Sequence, residues 1–150
     1  MILGIDPGVR GGLAILQADG KLVHVQAFDP KDTEHRLVYE VIHALDLIEV
    51  DPFHQVYVER VGYMRGDGGK GAFTFGKIVG LIHGAVLSRS LFLHQVSPQM
   101  WQTRMECLTG GNKNISKRRA QHLFPYEKIT HAVADAILIA EFGRRQSLSF

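Results

Sequence analysis

The run Leu3-Gly4-Ile5-Asp6-Pro7-Gly8, followed after Gly11 and Gly12 by Leu13-Ala14-Ile15-Leu16, reads as strand, tight turn and strand with a carboxylate near the crest. Asp6 ends a short apolar strand, where burial is costly without a counter-charge. A metal ion is the counter-charge this setting points to. Two further carboxylates, Glu59 and Asp135, stand in similarly apolar surroundings much later in the chain. Together the three suggest a metal-dependent phosphodiester hydrolase.

Working outward, residues 2–6, 12–17 and 22–28 read as three consecutive strands in an antiparallel meander, with Asp19-Gly20 as the hairpin signal between the second and third. A helix follows from Thr33, its N-cap, to Leu47, because Leu37, Val41, Ala44, Leu45 and Ile48 recur at helical spacing. Gln55 to Val61 alternates as a strand that lies beside the first, with Glu59 near its end. Residues 62–72 form a glycine-rich flexible segment, and a helix runs from Ala72 to Ser88. It carries Gly76, Gly80 and Gly84 on one face, each costing about 1 kcal/mol relative to alanine. Such a row permits something to pack very closely, either the protein's own sheet or a second copy of the helix. Leu91–Val96 is a further strand, Ser97-Pro98 opens a short helix through Trp101, and helices at Ile115–Leu123 and Ala132–Arg144 finish an α/β order.

The composition is that of one domain, residues 1–150, with 45% hydrophobic residues and no internal repeat. The N-terminus lacks the series of a secretory signal, and no apolar run approaches the ~20 residues needed to span a bilayer. A cytosolic protein with no membrane partner is expected. Cys107, the only cysteine, excludes an internal disulfide and reads as a small, semi-buried apolar residue. The formal charge of +2 hides two basic stretches. Arg104, Lys113, Lys117, Arg118 and Arg119 face only Glu106, and Arg60, Arg65, Lys70 and Lys77 face only Asp67. Both could hold phosphate, although a charge run is also what a solvated face looks like.

In the last helix, His131 and Asp135 are four residues apart on one face, amid alanines small enough to let the helix approach a sheet. Each has an ordinary reading, the histidine as a surface residue and the aspartate as the partner of an arginine. Hard cations such as Mg²⁺ take oxygen ligands and keep several waters, so carboxylates around an open cleft suit them. Two metals ~4 Å apart can activate a water and stabilise a leaving 3′ oxygen, while Lys113 or Lys117 could neutralise the phosphate.

The order and spacing of Gly4-Ile5-Asp6-Pro7-Gly8, Val58-Glu59, and His131 with Ala134-Asp135-Ala136 resemble the RuvC-type Holliday junction resolvases of the RNase H-like superfamily. Phe73-Thr74-Phe75-Gly76, Val96-Ser97-Pro98-Gln99-Met100-Trp101 and Arg119-Ala120-Gln121-His122-Leu123-Phe124-Pro125 look more like the phage and plastid branch. The resemblance implies a mixed five-stranded sheet, three strands antiparallel and two parallel, flanked by helices. It also implies a homodimer that binds four-way and other branched DNA and nicks two opposing strands symmetrically. Asp6, Glu59 and Asp135 are then ligands of Mg²⁺ or Mn²⁺, two ions per site. Tyr63 and Met64 would enter the junction core, with Arg65, Lys70, Lys77, Lys113, Lys117, Arg118 and Arg119 along the DNA.

One departure concerns the fourth metal-site residue, which the family places shortly before the last acid. Ala132 stands at the bacterial position and Thr130 where the phage and plastid branch commonly has an acid, leaving His131 as the substitute. A junction binder that has lost cleavage and a single-domain RNA-processing nuclease are the alternatives of the same fold. A sugar-kinase or actin-like phosphotransferase would normally need two such domains.

Overall fold

The computed structural model describes residues 1–31, 33–48, 54–60, 62, 68–89 and 91–148. Its centre is a five-stranded sheet in the order β3-β2-β1-β4-β5. β1 (Ile2–Asp6), β2 (Gly12–Leu16) and β3 (Leu22–Ala27) form the antiparallel meander, and β4 (Gln55–Glu59) and β5 (Leu93–Val96) add to it in parallel. Helices α1 (Glu34–Ile48), α2 (Gly69–Leu87), α3 (Pro98–Arg104), α4 (Lys113–Leu123) and α5 (His131–Ser147) complete the α/β order expected from the sequence.

Strand alternation sorts the core into two layers. Leu3, Ile5, Leu13, Ile15, Val56 and Val58 pack with α1 and α2, through Leu37, Val41, Leu45, Ile78, Ile82 and Val86. Ile2, Ala14, Leu16 and Tyr57 point the other way, onto α5. The close approach of α5 depends on Gly4, since a Cβ there would lie 2.4 Å from both Ala136 O and Ala140 N. Helix α5 is consequently buried from Val133 to Gly143. By the same alternation Asp6 and Glu59, two residues beyond Gly4 and Tyr57, face the α5 side of the sheet.

The edges of several elements differ from the sequence reading. Helix α2 starts at Gly69 rather than Ala72, with Ala72 N donating to Gly68 O at 3.0 Å. Burial of Ile78, Ile82 and Val86 outweighs the poor propensity of its glycine-rich start. Helix α3 continues past Trp101 to Arg104 because Trp101 and Met105 are both core residues. Helix α4 starts two residues early, at Lys113, where the Asn112 side chain caps Asn114 N at 3.1 Å. Helix α5 runs on to Ser147, its last turns tied by Arg144 and Arg145 to the buried Glu141. Val61, expected to close β4, lies outside the described residues, as do residues 63–67 of the glycine-rich segment.

Of the two readings of the glycine row, the structure removes one. Gly76, Gly80 and Gly84 do not pack on the protein's own sheet, because a Cβ added at any of them meets nothing within 4 Å. The buried row Ile78, Ile82, Val86 is offset by two residues, about 200° around the helix. The glycines therefore look outward, beside the exposed Phe73, Leu81 and Leu87. Cys107 is buried, and burial pushes its thiol up to about 11. Among the described residues no helix is long and apolar enough to cross a membrane.

Candidate active site

The sheet brings Asp6 and Glu59 together. β1 and β4 are parallel neighbours in the register Ile5 to Val58, and one further step sets the two acids side by side. Asp6 is 7% exposed, and its Oδ1 accepts from Gly8 N at 3.1 Å, within a turn that Gly11 N closes onto Gly8 O at 2.8 Å. Gly11 must lack a side chain, since a Cβ there would lie 2.6 Å from Asp6 Cγ. Asp135 arrives from the opposite wall on α5, 9% exposed. Its Oδ1 is buried without a hydrogen-bond partner in the described structure, and its Oδ2 lies 3.8 Å from Lys113 Nζ at the start of α4.

Glu59 has a partner that sequence reasoning missed. The indole of Trp101, fully buried on α3, donates from Nε1 to Glu59 Oε1 at 2.8 Å. The neighbouring cap explains the aim. Ser97 receives the Met100 amide on its hydroxyl at 3.3 Å and opens α3 directly after β5, the strand beside β4. Trp101 is the chain's single tryptophan, and nothing in its spacing from Glu59 signals the bond, which depends on β4 and β5 being adjacent.

The electrostatics are those of crowded acids. Burial first, then the charges of Asp6 and Asp135, raise the Glu59 carboxyl to about 7, against the opposing Trp101 bond and Lys113. Burial likewise raises Asp6, with the Gly8 amide opposing, Asp135 adding and Lys113 opposing. The mutual repulsion places all three acids within one electrostatic site. No group of three or more His, Cys, Asp or Glu side chains among the described residues is already arranged as a finished metal cage. The donor set nonetheless fits a hard divalent cation. It is all oxygen and holds an orphaned carboxylate oxygen that water-poor protein would otherwise leave unsatisfied.

The other sequence candidates divide by position. His131 is exposed at the first residue of α5, its Nε2 2.9 Å from Asn114 Oδ1 on α4. Lys117 and Arg118 line a separate cleft of about 520 Å³ with Asn112, Asn114 and Gln121. Arg119 is turned inward, donating to Met105 O at 2.7 Å and to Glu106 Oε2 at 2.6 Å, so that it clasps the end of α3. Lys77 pairs with Glu34 of α1, and Lys70 is exposed in the first turn of α2. Tyr63, Met64 and Arg65 lie outside the described residues. Arg10, not singled out from the sequence, stands on the turn four residues after Asp6 and lines a cleft with Lys113 and His131.

No family model and no curated protein matches the chain at the level of sequence. Solved structures do match in fold. Thermus thermophilus RuvC in complex with a Holliday junction substrate superposes with a TM-score of 0.68 at 19% identity, covering 97% of this chain and 94% of that one. Another structure of Thermus thermophilus RuvC gives 0.67 at 18% identity, over 97% and 96%. The Fowlpox virus resolvase with its Holliday junction DNA gives 0.57 at 15% identity, over 97% and 99%. The chain therefore has an RNase H-like fold. Within that class its architecture is the one RuvC adopts, over nearly the whole length of both chains.

Proposed function

We propose that the chain is a metal-dependent endodeoxyribonuclease that resolves Holliday junctions by nicking two opposing strands. The observation that carries this reading is the buried, unpartnered Oδ1 of Asp135 on α5, on the side of the sheet that Asp6 and Glu59 face from the ends of β1 and β4. Similarity of fold to junction-bound resolvases supplies the substrate class.

Asp6, Glu59 and Asp135 would hold the cation, Mg²⁺ or Mn²⁺. When bound, it lowers the pKa of the attacking water and stabilises charge on the phosphate and leaving oxygen. The chain's own groups do the rest. Trp101 fixes the direction of Glu59, the Gly8 amide fixes Asp6, and the Lys113 ammonium beside Asp135 offers positive charge where the phosphate gathers negative charge. His131 engages Asn114 and contributes from the rim. The working unit is a homodimer, which gives two nicks related by symmetry. The outward face of α2, with Gly76, Gly80 and Gly84 beside Phe73, Leu81 and Leu87, supplies a surface that a second copy would cover.

One observation favours a second reading, a junction binder without cleavage: Thr130 precedes His131 where the related branch commonly has an acid. The deciding experiment is nicking of an end-labelled mobile four-way junction, the matching linear duplex and an RNA–DNA hybrid, with Mg²⁺, Mn²⁺ or EDTA. Paired nicks on the junction alone, lost in EDTA and in Asp135→Asn, are expected. Tight binding with no nicking under any metal would establish the second reading, and cleavage confined to the hybrid would make the protein an RNA-processing nuclease.

A further inference from the structure

Beside the three acids a cleft of about 440 Å³ opens between the turn after β1, the segment after β3 and the first residues of α4 and α5. Its lining combines two kinds of chemistry. Phe28, Pro30 and Ala132 are apolar, whereas Arg10, Lys113 and His131 bring cationic or hydrogen-bonding groups. Phe28 is 4% exposed and its amide donates to Gly11 O at 2.9 Å, so this wall is fixed to the same turn that carries Arg10. Lys113 belongs both to this cleft and to the acid cluster, where its ammonium is 3.8 Å from Asp135 Oδ2. Lys113 thus links the cleft to the acids.

Arg10 is exposed and makes no ion pair among the described residues, although three carboxylates lie a few residues or one helix away. Its forked guanidinium suits two oxygens of one phosphate. The first turn of α5 opens into the same space, and the Thr130 side chain makes no capping bond there. A ligand that fits must be anionic at one end and apolar at the other. A nucleotide within a DNA strand meets that description, with phosphate oxygens for Arg10 and His131 and a deoxyribose or base for the Phe28 and Pro30 side.

We propose that this cleft is the subsite for the nucleotide adjoining the scissile phosphate, and that Arg10 holds that nucleotide's phosphate. The proposal rests on the nuclease reading above and assigns to Arg10 substrate positioning one nucleotide from the acids. It separates the two lysine-bearing clefts of α4. The Lys113 side receives the strand being cut, and the Lys117 and Arg118 side lies outside the subsite.

The test combines Arg10→Ala with junctions in which single phosphates flanking the mapped nick are replaced by neutral methylphosphonates. Binding is measured with Ca²⁺ present in place of Mg²⁺. The wild type is expected to lose about tenfold in affinity when the adjoining phosphate is neutralised, and Arg10→Ala about as much on the unmodified junction. The combination should lose no more than either alone, and the salt dependence should flatten by about one phosphate contact. Additive losses, or an Arg10→Ala protein that binds the unmodified junction as the wild type does, overturn the subsite. A wild type that neither binds nor nicks junctions overturns the nuclease reading and the subsite with it. Because Arg10 is exposed, the variant's folding is not at issue, and an unchanged thermal midpoint verifies this.

Discussion

Replacing Trp101 by phenylalanine removes one hydrogen-bond donor from the candidate active site while keeping an aromatic ring in the core. The bond from Nε1 to Glu59 Oε1 is 2.8 Å long and its donor is fully buried. A hydrogen bond to a charged acceptor is worth about 1.5–3 kcal/mol, and trimming a buried ring leaves a cavity costing a further ~1–2 kcal/mol. Stability alone should therefore fall by about 2.5–5 kcal/mol. The sharper consequence concerns the proposed cation. Glu59 without its indole partner is free to take other rotamers, and its carboxyl rises further because one of the influences opposing burial is gone. Loss of a hydrogen bond that orients a ligand typically weakens metal affinity 10–100-fold. The assay is calorimetric or electron-spin titration with Mn²⁺, at a temperature well below the variant's melting point. In parallel, Mn²⁺ should quench the emission of the wild type's single tryptophan. A variant destabilised as expected that binds Mn²⁺ with unchanged affinity, or wild-type emission indifferent to Mn²⁺, would show that the indole does not orient a metal ligand.

Glu59 also sets a pH dependence. Its carboxyl is raised from 4.5 to about 7, so the folded protein retains a proton that the unfolded chain releases. The metal-free protein should therefore lose stability as pH rises from about 4.5 through 7, by about 3 kcal/mol from this group. Asp6, also raised, acts in the same direction. Melting curves at about pH 5 and pH 8 check this, and Glu59→Gln should flatten the difference; a slope unchanged in the variant would refute it. Gly4→Ala should cost about 3 kcal/mol or more in denaturant unfolding, because its Cβ meets the rigid backbone of α5 at 2.4 Å. Wild-type stability in that variant would mean that α5 can back away from β1. Gly80→Arg places a charge on the outward face of α2 in open space, so sedimentation should report a folded monomer. A dimer of wild-type strength would exclude that face as the seam.

Local patterns carried much of the architecture. The meander was legible because Asp19-Gly20 and the glycines after Asp6 are short-range turn chemistry, and Gly20 indeed adopts a φ of +90°. Helix α1 was legible because its buried residues recur at helical spacing behind the Thr33 cap, whose Oγ1 accepts from Arg36 N at 3.3 Å. The two acids at strand ends stood out for the same reason, since a charge in an apolar run is visible in one dimension.

Tertiary structure decided what depends on neighbours distant in the chain. Glu59 and Trp101 are 42 residues apart, and only the parallel pairing of β4 with β5 brings the start of α3 to the carboxylate. Arg10 becomes part of a cleft only when α4 and α5 arrive beside the β1 turn. Arg119 and Lys77 read as free positive charges in the sequence, yet the fold supplies Glu106 and Glu34 as partners. The glycine row of α2 shows the limit most directly. A helix has two faces with similar spacing, and composition does not say which one the sheet will cover. That choice fell to the larger apolar area of Ile78, Ile82 and Val86, because burial is driven by the area removed from water.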